Sequence, residues 1–215
     1  MLSGGGALAA FETGVLAALF GGKSQATGKR LLEAGIFTGT SAGSFNAAVM
    51  AMFPIAEGQA AAKHLADIWI NQIAERPGKA NGVFRIRGNP LQFLDLAELL
   101  SGPAKPFLNT ARDAAYLTAQ WMRRTVDSVS GDASLSNRAL RLFDISEFFC
   151  SEPFRQTLAT ALSPARIRRS GVKLRIAATD WRTGAARIFS DQDMTDEQGV
   201  DIVLASSAIP GIFPA

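Results

Sequence analysis

Two glycine-framed loops lie a few dozen residues apart in this chain: Gly4-Gly5-Gly6 and Gly39-Thr40-Ser41-Ala42-Gly43. The second fits G-x-S-x-G, the sharp strand-to-helix turn that projects a serine hydroxyl out of the fold. Gly39 and Gly43 permit such an elbow because neither adds a Cβ to it. Ser41 is therefore the candidate nucleophile, with the N-terminus of the helix after it favouring developing negative charge. Gly4, Gly5 and Gly6 suit a loop of bare backbone N–H groups ahead of a helix. A tetrahedral oxyanion needs such donors, each worth roughly 3–4 kcal/mol in other acyl-transfer enzymes. Singly, each loop is also a plain small-residue turn; paired, they describe serine acyl transfer.

Other readings of the glycines differ in what else they require. Gly4-x-Gly6-x-x-Ala9 also satisfies the dinucleotide fingerprint G-x-G-x-x-G/A, which wants an acid closing the second strand. Glu33 is the nearest acid but precedes that strand. A nucleotide-binding α/β domain thus stands second, and a non-catalytic lipid-binding module third. Gly22-Lys23-Ser24 resembles the tail of a phosphate loop, but Ala17 occupies the place of its first glycine.

The base is the missing part. A Ser-His-Asp triad would have to use His64, the only histidine, which follows the serine closely in a helical stretch. In α/β-hydrolases the histidine comes last in the chain, so His64 reads as a packing or surface residue. A carboxylate accepting the serine proton directly, a Ser-Asp dyad, is what remains.

These groups need a scaffold of alternating helices and strands. Apolar periodicity predicts helices over 7–20, 25–34, 42–52, 59–75, 151–162 and 197–207, with strands over 36–38, 172–179 and 186–190. Gly21-Gly22 should stop the first helix, and Pro77 bars the 59–75 helix from continuing. Residues 91–100 and 110–129 are also helical in pattern, and the second could be a lid over an apolar site or an ordinary surface helix. Strands separated by helices imply a three-layer α/β/α domain with a mainly parallel central sheet. The 215 residues are read as one domain; only Met1 and Leu2 precede the glycine loop where a strand is expected, and the apolar stretch 209–215 reads like a domain interior, so a piece cut from a longer chain is expected.

Composition narrows the partners. The chain is 47% hydrophobic and 19% charged, and its 22 basic against 19 acidic residues leave a net charge of +3. Basic residues gather loosely at Arg123-Arg124, Arg138, Arg141 and 166–169. A solvated surface is the plain reading, weak attraction to anionic lipid the sharper one. No basic stretch interleaves with aromatics, which argues against nucleic acid. The lone Cys150, beside Phe148 and Phe149, rules out an internal disulfide and reads as a buried small hydrophobe. No run of 18 apolar residues and no secretory leader is visible, so the protein is expected in the cytoplasm or at a peripheral membrane surface.

The chain resembles the patatin-like phospholipases in an ordered set of motifs. These are Leu2-Ser3-Gly4-Gly5-Gly6-Ala7, Gly14-Val15-Leu16, Gly39-Thr40-Ser41-Ala42-Gly43-Ser44-Phe45-Asn46-Ala47, Ala178-Thr179-Asp180 with Thr183-Gly184, and the stretch from Ala205 to Pro214. The middle, about 79–140, has diverged. The resemblance implies hydrolysis of fatty-acyl esters of phospholipids or galactolipids, a lipid ester as substrate and no metal or other cofactor. It also implies Ser41 as nucleophile, an oxyanion loop at Gly4, Gly5 and Gly6, and an aspartate partner. Leu8 stands where the family often carries a basic residue, which removes a charge from the headgroup side. The family's aspartate lies in an Asp-Gly motif, and no Asp-Gly pair occurs here. That acid is expected beyond Ala215, which would leave these 215 residues alone inactive. Asp180 is the one substitute within the chain, and reads more simply as a turn cap.

Overall fold

A computed structural model describes residues 1–74, 83, 85–86, 115 and 149–208. The chain divides into two compact units, Met1–Ala74 with Phe154–Ala208, and Glu75–Pro153 with Ile209–Ala215. In the second unit the described strands β2 (Arg85–Ile86) and β3 (Phe149–Cys150) pair antiparallel, Arg85 opposite Cys150. The expected helices at 91–100 and 110–129 lie outside the described residues, save for residue 115, and the 209–215 stretch lies wholly outside them.

The first unit is built around β1 (Ile36–Thr40). It runs parallel to β4 (Lys173–Thr179), with Thr40 opposite Ala177. β4 turns back antiparallel into β5 (Ala186–Ser190). On the far side of β1, Leu2 makes a single parallel bridge to Gly39. The described sheet is therefore α/β but small and mixed, one parallel and one antiparallel pair, where the alternation predicted a mainly parallel one.

Helix α1 (Ala9–Phe20) follows a 3₁₀ turn at Gly6–Leu8. It ends in a Schellman motif: Lys23 N–H reaches the Ala18 carbonyl at 2.8 Å, with Gly22 left-handed at φ 65°. The Gly-Lys-Ser sequence is thus a helix stop, not a phosphate loop. The helix expected over 25–34 does not form. Only a 3₁₀ turn, Gln25–Thr27, is made. The Thr27 hydroxyl caps the carbonyls of Ser24 and Arg30, and Gly28 and Lys29 both turn left-handed at φ 59°. Side-chain bonding to the local backbone outcompetes helix there.

Helix α2 (Ala42–Ala51) is the core. Residues 43–51 are all buried, so the helix is enclosed on every face, with Ser44 and Asn46 as its buried polar residues. Phe45, 1% exposed, meets Trp69 and Phe154 edge-on at 6.3 and 6.0 Å. Burial of such a ring stabilises the fold by about 1.5–3 kcal/mol. Helix α3 (Gly58–Ile68) packs on α1 and α2. The helix expected to continue to 75 instead widens into a π turn, Trp69–Ile73, closed by Ala74 N–H to the Trp69 carbonyl at 2.8 Å. Helix α4 (Glu152–Ala161) and a short α5 (Pro164–Arg169), not anticipated, lead into β4. Helix α6 (Gly199–Ser207) closes the unit against α2 and β4. Among the described residues no helix is long and apolar enough to cross a membrane.

Candidate active site

Strand β1 delivers the chain to Ser41, and α2 carries it away. Between them Ser41 sits at φ 54°, ψ −130°. An L-residue rarely adopts this conformation, which costs about 1–3 kcal/mol. Lys29, in an exposed turn, is the other described non-glycine residue with positive φ.

The strain at Ser41 is held from both sides. Its N–H donates to Ser206 Oγ at 2.9 Å, and Ser206 in turn donates to the Ala177 carbonyl at 2.6 Å. The elbow is thereby tied to α6 and to β4. On the other side the Ser41 carbonyl accepts from the hydroxyl and the N–H of Ser44, at 2.6 and 2.8 Å. The Ser41 hydroxyl itself has no hydrogen-bond partner among the described residues.

Close packing explains the framing glycines. A Cβ on Gly39 would overlap the Gly43 carbonyl, and one on Gly43 would lie 2.5 Å from the Leu2 carbonyl oxygen and 2.6 Å from that of Ser3. The N-terminal segment thus passes directly over the start of α2. Leu2 anchors it, donating to the Thr38 carbonyl at 2.7 Å and accepting from Thr40 N–H at 3.3 Å.

Beyond Leu2 the segment reaches the serine. A Cβ on Gly4 would stand 3.0 Å from Ser41 Cβ and 3.8 Å from its Oγ. Gly5 and Gly6 follow at φ 156° and 56° and turn the chain into α1. Among the described residues no acceptor takes the N–H of Gly4, Gly5 or Gly6. The two loops that sequence places 35 residues apart are in van der Waals contact.

The candidate bases go elsewhere. The His64 ring packs against Phe53, centroids 5.6 Å apart, and the Arg166 guanidinium lies 4.5 Å from the Phe53 ring centre. Asp180 ends β4 and accepts the N–H groups of Arg182 and Thr183 at 3.0 and 3.1 Å. Those bonds, Thr183 first, hold its carboxyl below the usual carboxylate range. It is a turn cap. Nor does an acid close β1, which ends Gly39-Thr40 and runs into Ser41, so the dinucleotide reading lacks its second requirement. Among the described residues no three His, Cys, Asp or Glu side chains gather as metal ligands.

The site also contains residues to which sequence reasoning gave no role. Glu12 accepts the Ser3 N–H at 2.6 Å and faces Asn46 Nδ2 at 3.3 Å. Asn46 also donates to the Ala9 carbonyl at 3.0 Å and accepts from Trp69 Nε1 at 2.8 Å. One signal was available: an asparagine amid the otherwise small and apolar residues of α2 has to find buried partners. Ser206 offered no comparable signal.

No curated protein and no solved structure matches the chain. A family description does match, that of the patatin-like phospholipases, and it extends over residues 1–215, the whole sequence. With an N-terminal glycine loop lying against a serine elbow, and a match from first residue to last, the chain belongs to the patatin-like phospholipase family.

Proposed function

We propose that this protein is a serine lipid acyl hydrolase in which Ser41 attacks the carbonyl of a fatty-acyl ester of a phospholipid or related lipid. The family supports a hydrolase acting on lipid; the residue roles are our reading. Ser41 Oγ bonds to the carbonyl carbon, and its proton passes to a carboxylate. The carbonyl oxygen becomes an oxyanion facing the N–H groups of Gly4, Gly5 and Gly6. Collapse expels the lipid alcohol and leaves an acyl-serine. A water activated by the same carboxylate then releases the fatty acid and restores Ser41. The family's pattern places that carboxylate in an Asp-Gly motif, which these 215 residues do not contain, so we assign it beyond Ala215; Asp180 is committed to its turn. The same reading sets the site in a three-layer α/β/α domain with a mainly parallel sheet, working at a peripheral membrane surface.

One observation carries the proposal: the backbone of Gly4 abuts Ser41 where that residue is held in a strained conformation. Donors for an oxyanion and a hydroxyl to create it then flank one reacting carbon. The test uses the full-length protein, extended through its next Asp-Gly. It should release fatty acid from phospholipid vesicles and react with a fluorophosphonate probe. Both should disappear in Ser41→Ala, while probe labelling that survives the substitution defeats the reading.

A further inference from the structure

We infer that Glu12 is a positioning residue that sets the place of the N-terminal glycine loop against Ser41. This rests on the hydrolase reading above, but its physical basis is independent of it.

The hydrogen bonds form a chain whose direction is fixed at one end. Trp69 Nε1–H can only donate, so the atom it meets at 2.8 Å must be the oxygen of the Asn46 amide. The amide nitrogen of Asn46 then points the other way, to the Ala9 carbonyl at 3.0 Å and Glu12 Oε2 at 3.3 Å. An ionised carboxylate can only accept, and its second oxygen takes the Ser3 N–H at 2.6 Å. Asn46 is fully buried and cannot turn to water for a substitute partner. The π turn, α2 and α1 thus converge through one carboxylate on the Leu2–Ser3 peptide group, one residue ahead of Gly4.

The loop needs such a hold. Ser3 to Leu8 are exposed, and three of the six are glycine. Glycine gives up more backbone freedom than any other residue when it is fixed. Oxyanion donors act only if they are already in place when charge develops. Leu2 pins the loop's N-terminal end to β1, its carbonyl accepting from Thr40 N–H. Glu12 takes the N–H of that same Leu2–Ser3 peptide, by a charge-assisted bond of the stronger class, and so fixes the orientation in which the chain enters Gly4.

Glu12→Gln separates positioning from packing, because it keeps the shape and leaves one oxygen to accept. The new amide NH₂ must then oppose either Ser3 N–H or Asn46 Nδ2. In the full-length protein, Glu12→Gln should lower kcat by about 10-fold and Glu12→Ala by about 100-fold, with KM unchanged. Glu12→Asp, one methylene too short, should behave like Glu12→Ala. Amide hydrogen exchange read by NMR should be faster at Ser3, the one amide of the loop that Glu12 holds, in Glu12→Gln, and unaltered in α3 and β4. That readout needs no turnover, so it stands even if Ser41 proves not to be the nucleophile. Wild-type kcat with wild-type exchange in Glu12→Gln overturns the inference, as does a loss confined to KM.

Discussion

The parallel strands β1 and β4 end side by side, and the turns that follow them are opposites. After β1 the chain makes one strained residue, Ser41, abutted by the backbone of Gly4 and fixed by the hydroxyls of Ser206 and Ser44, with the carbonyls of Leu2 and Ser3 packed on Gly43 just beyond it. After β4 it makes a relaxed, exposed turn, Asp180 to Gly184, closed by a carboxylate that accepts two N–H groups. Farther along, the β5 end of the hairpin is held by carboxylates too. Asp191 accepts from Leu174 N–H and Arg175, and Asp193 from the N–H and hydroxyl of Ser190. One region is held by close backbone packing and neutral hydroxyls, the other by ionised groups. Strain persists only where the surroundings over-determine it. The difference is what the proposed role of Ser41 requires of its strand end.

The largest effect expected is at the elbow. Ser41→Ala should reduce ester hydrolysis by about 10⁴-fold or more, measured as fatty acid released per enzyme, while the fold survives. Ser206→Ala removes the tether without altering the Ser41 side chain. Two lost hydrogen bonds should lower stability by about 1–2 kcal/mol, read from denaturant midpoints, and kcat should drop about 10-fold as Ser41 loosens.

At the hairpin the expected effects are on pH dependence. Burial opposes ionisation of Asp191, but bonds from Gln192, Leu174 N–H and Arg175 outweigh it and hold its carboxyl down to about 2 from 3.8. A depressed carboxylate stabilises the fold above its unfolded pKa, and that contribution fades as pH falls through the folded value. Asp191→Asn should therefore cost about 1–2 kcal/mol at neutral pH, and the gap between variant and wild type should close between about pH 4 and pH 2. Melting curves across that range check this; a gap that persists at pH 2 would mean packing, not charge, fixes the hairpin. The smallest effect is assigned to Asp180→Asn. An asparagine oxygen can accept the same two N–H groups, so turnover should be unchanged. A large loss of turnover would move the catalytic carboxylate to this turn and erase the contrast between the two strand ends.

Local patterns made much of this scaffold legible. Alternation and a Thr-Gly turn marked β5 at its observed bounds and β4 to within a residue. Small residues after Ser41 marked α2 as a helix pressed close to the sheet. Where the pattern failed, competing local bonds were the reason. Residues 25–34 have helical spacing, but Thr27 and Gly28 spend it on a turn. The π turn begins at Trp69, whose indole N–H donates to the buried Asn46 of another helix, a long-range contact that periodicity does not register. For the same reason the Glu12–Asn46 link was invisible: its ends are 34 residues apart and only the folded chain brings them together. The glycine loops were visible as two motifs, whereas their mutual contact was a spatial fact awaiting coordinates.

The awkward backbone at Ser41 has a bearing on how this protein could change over time. Replacing that serine with glycine would relieve the torsion and leave a molecule harder to melt but chemically silent. Heat-resistance screens run without a turnover assay would gather such variants first. Lineages released from the need to hydrolyse lipid would drift the same way, towards robust, inert copies of the fold.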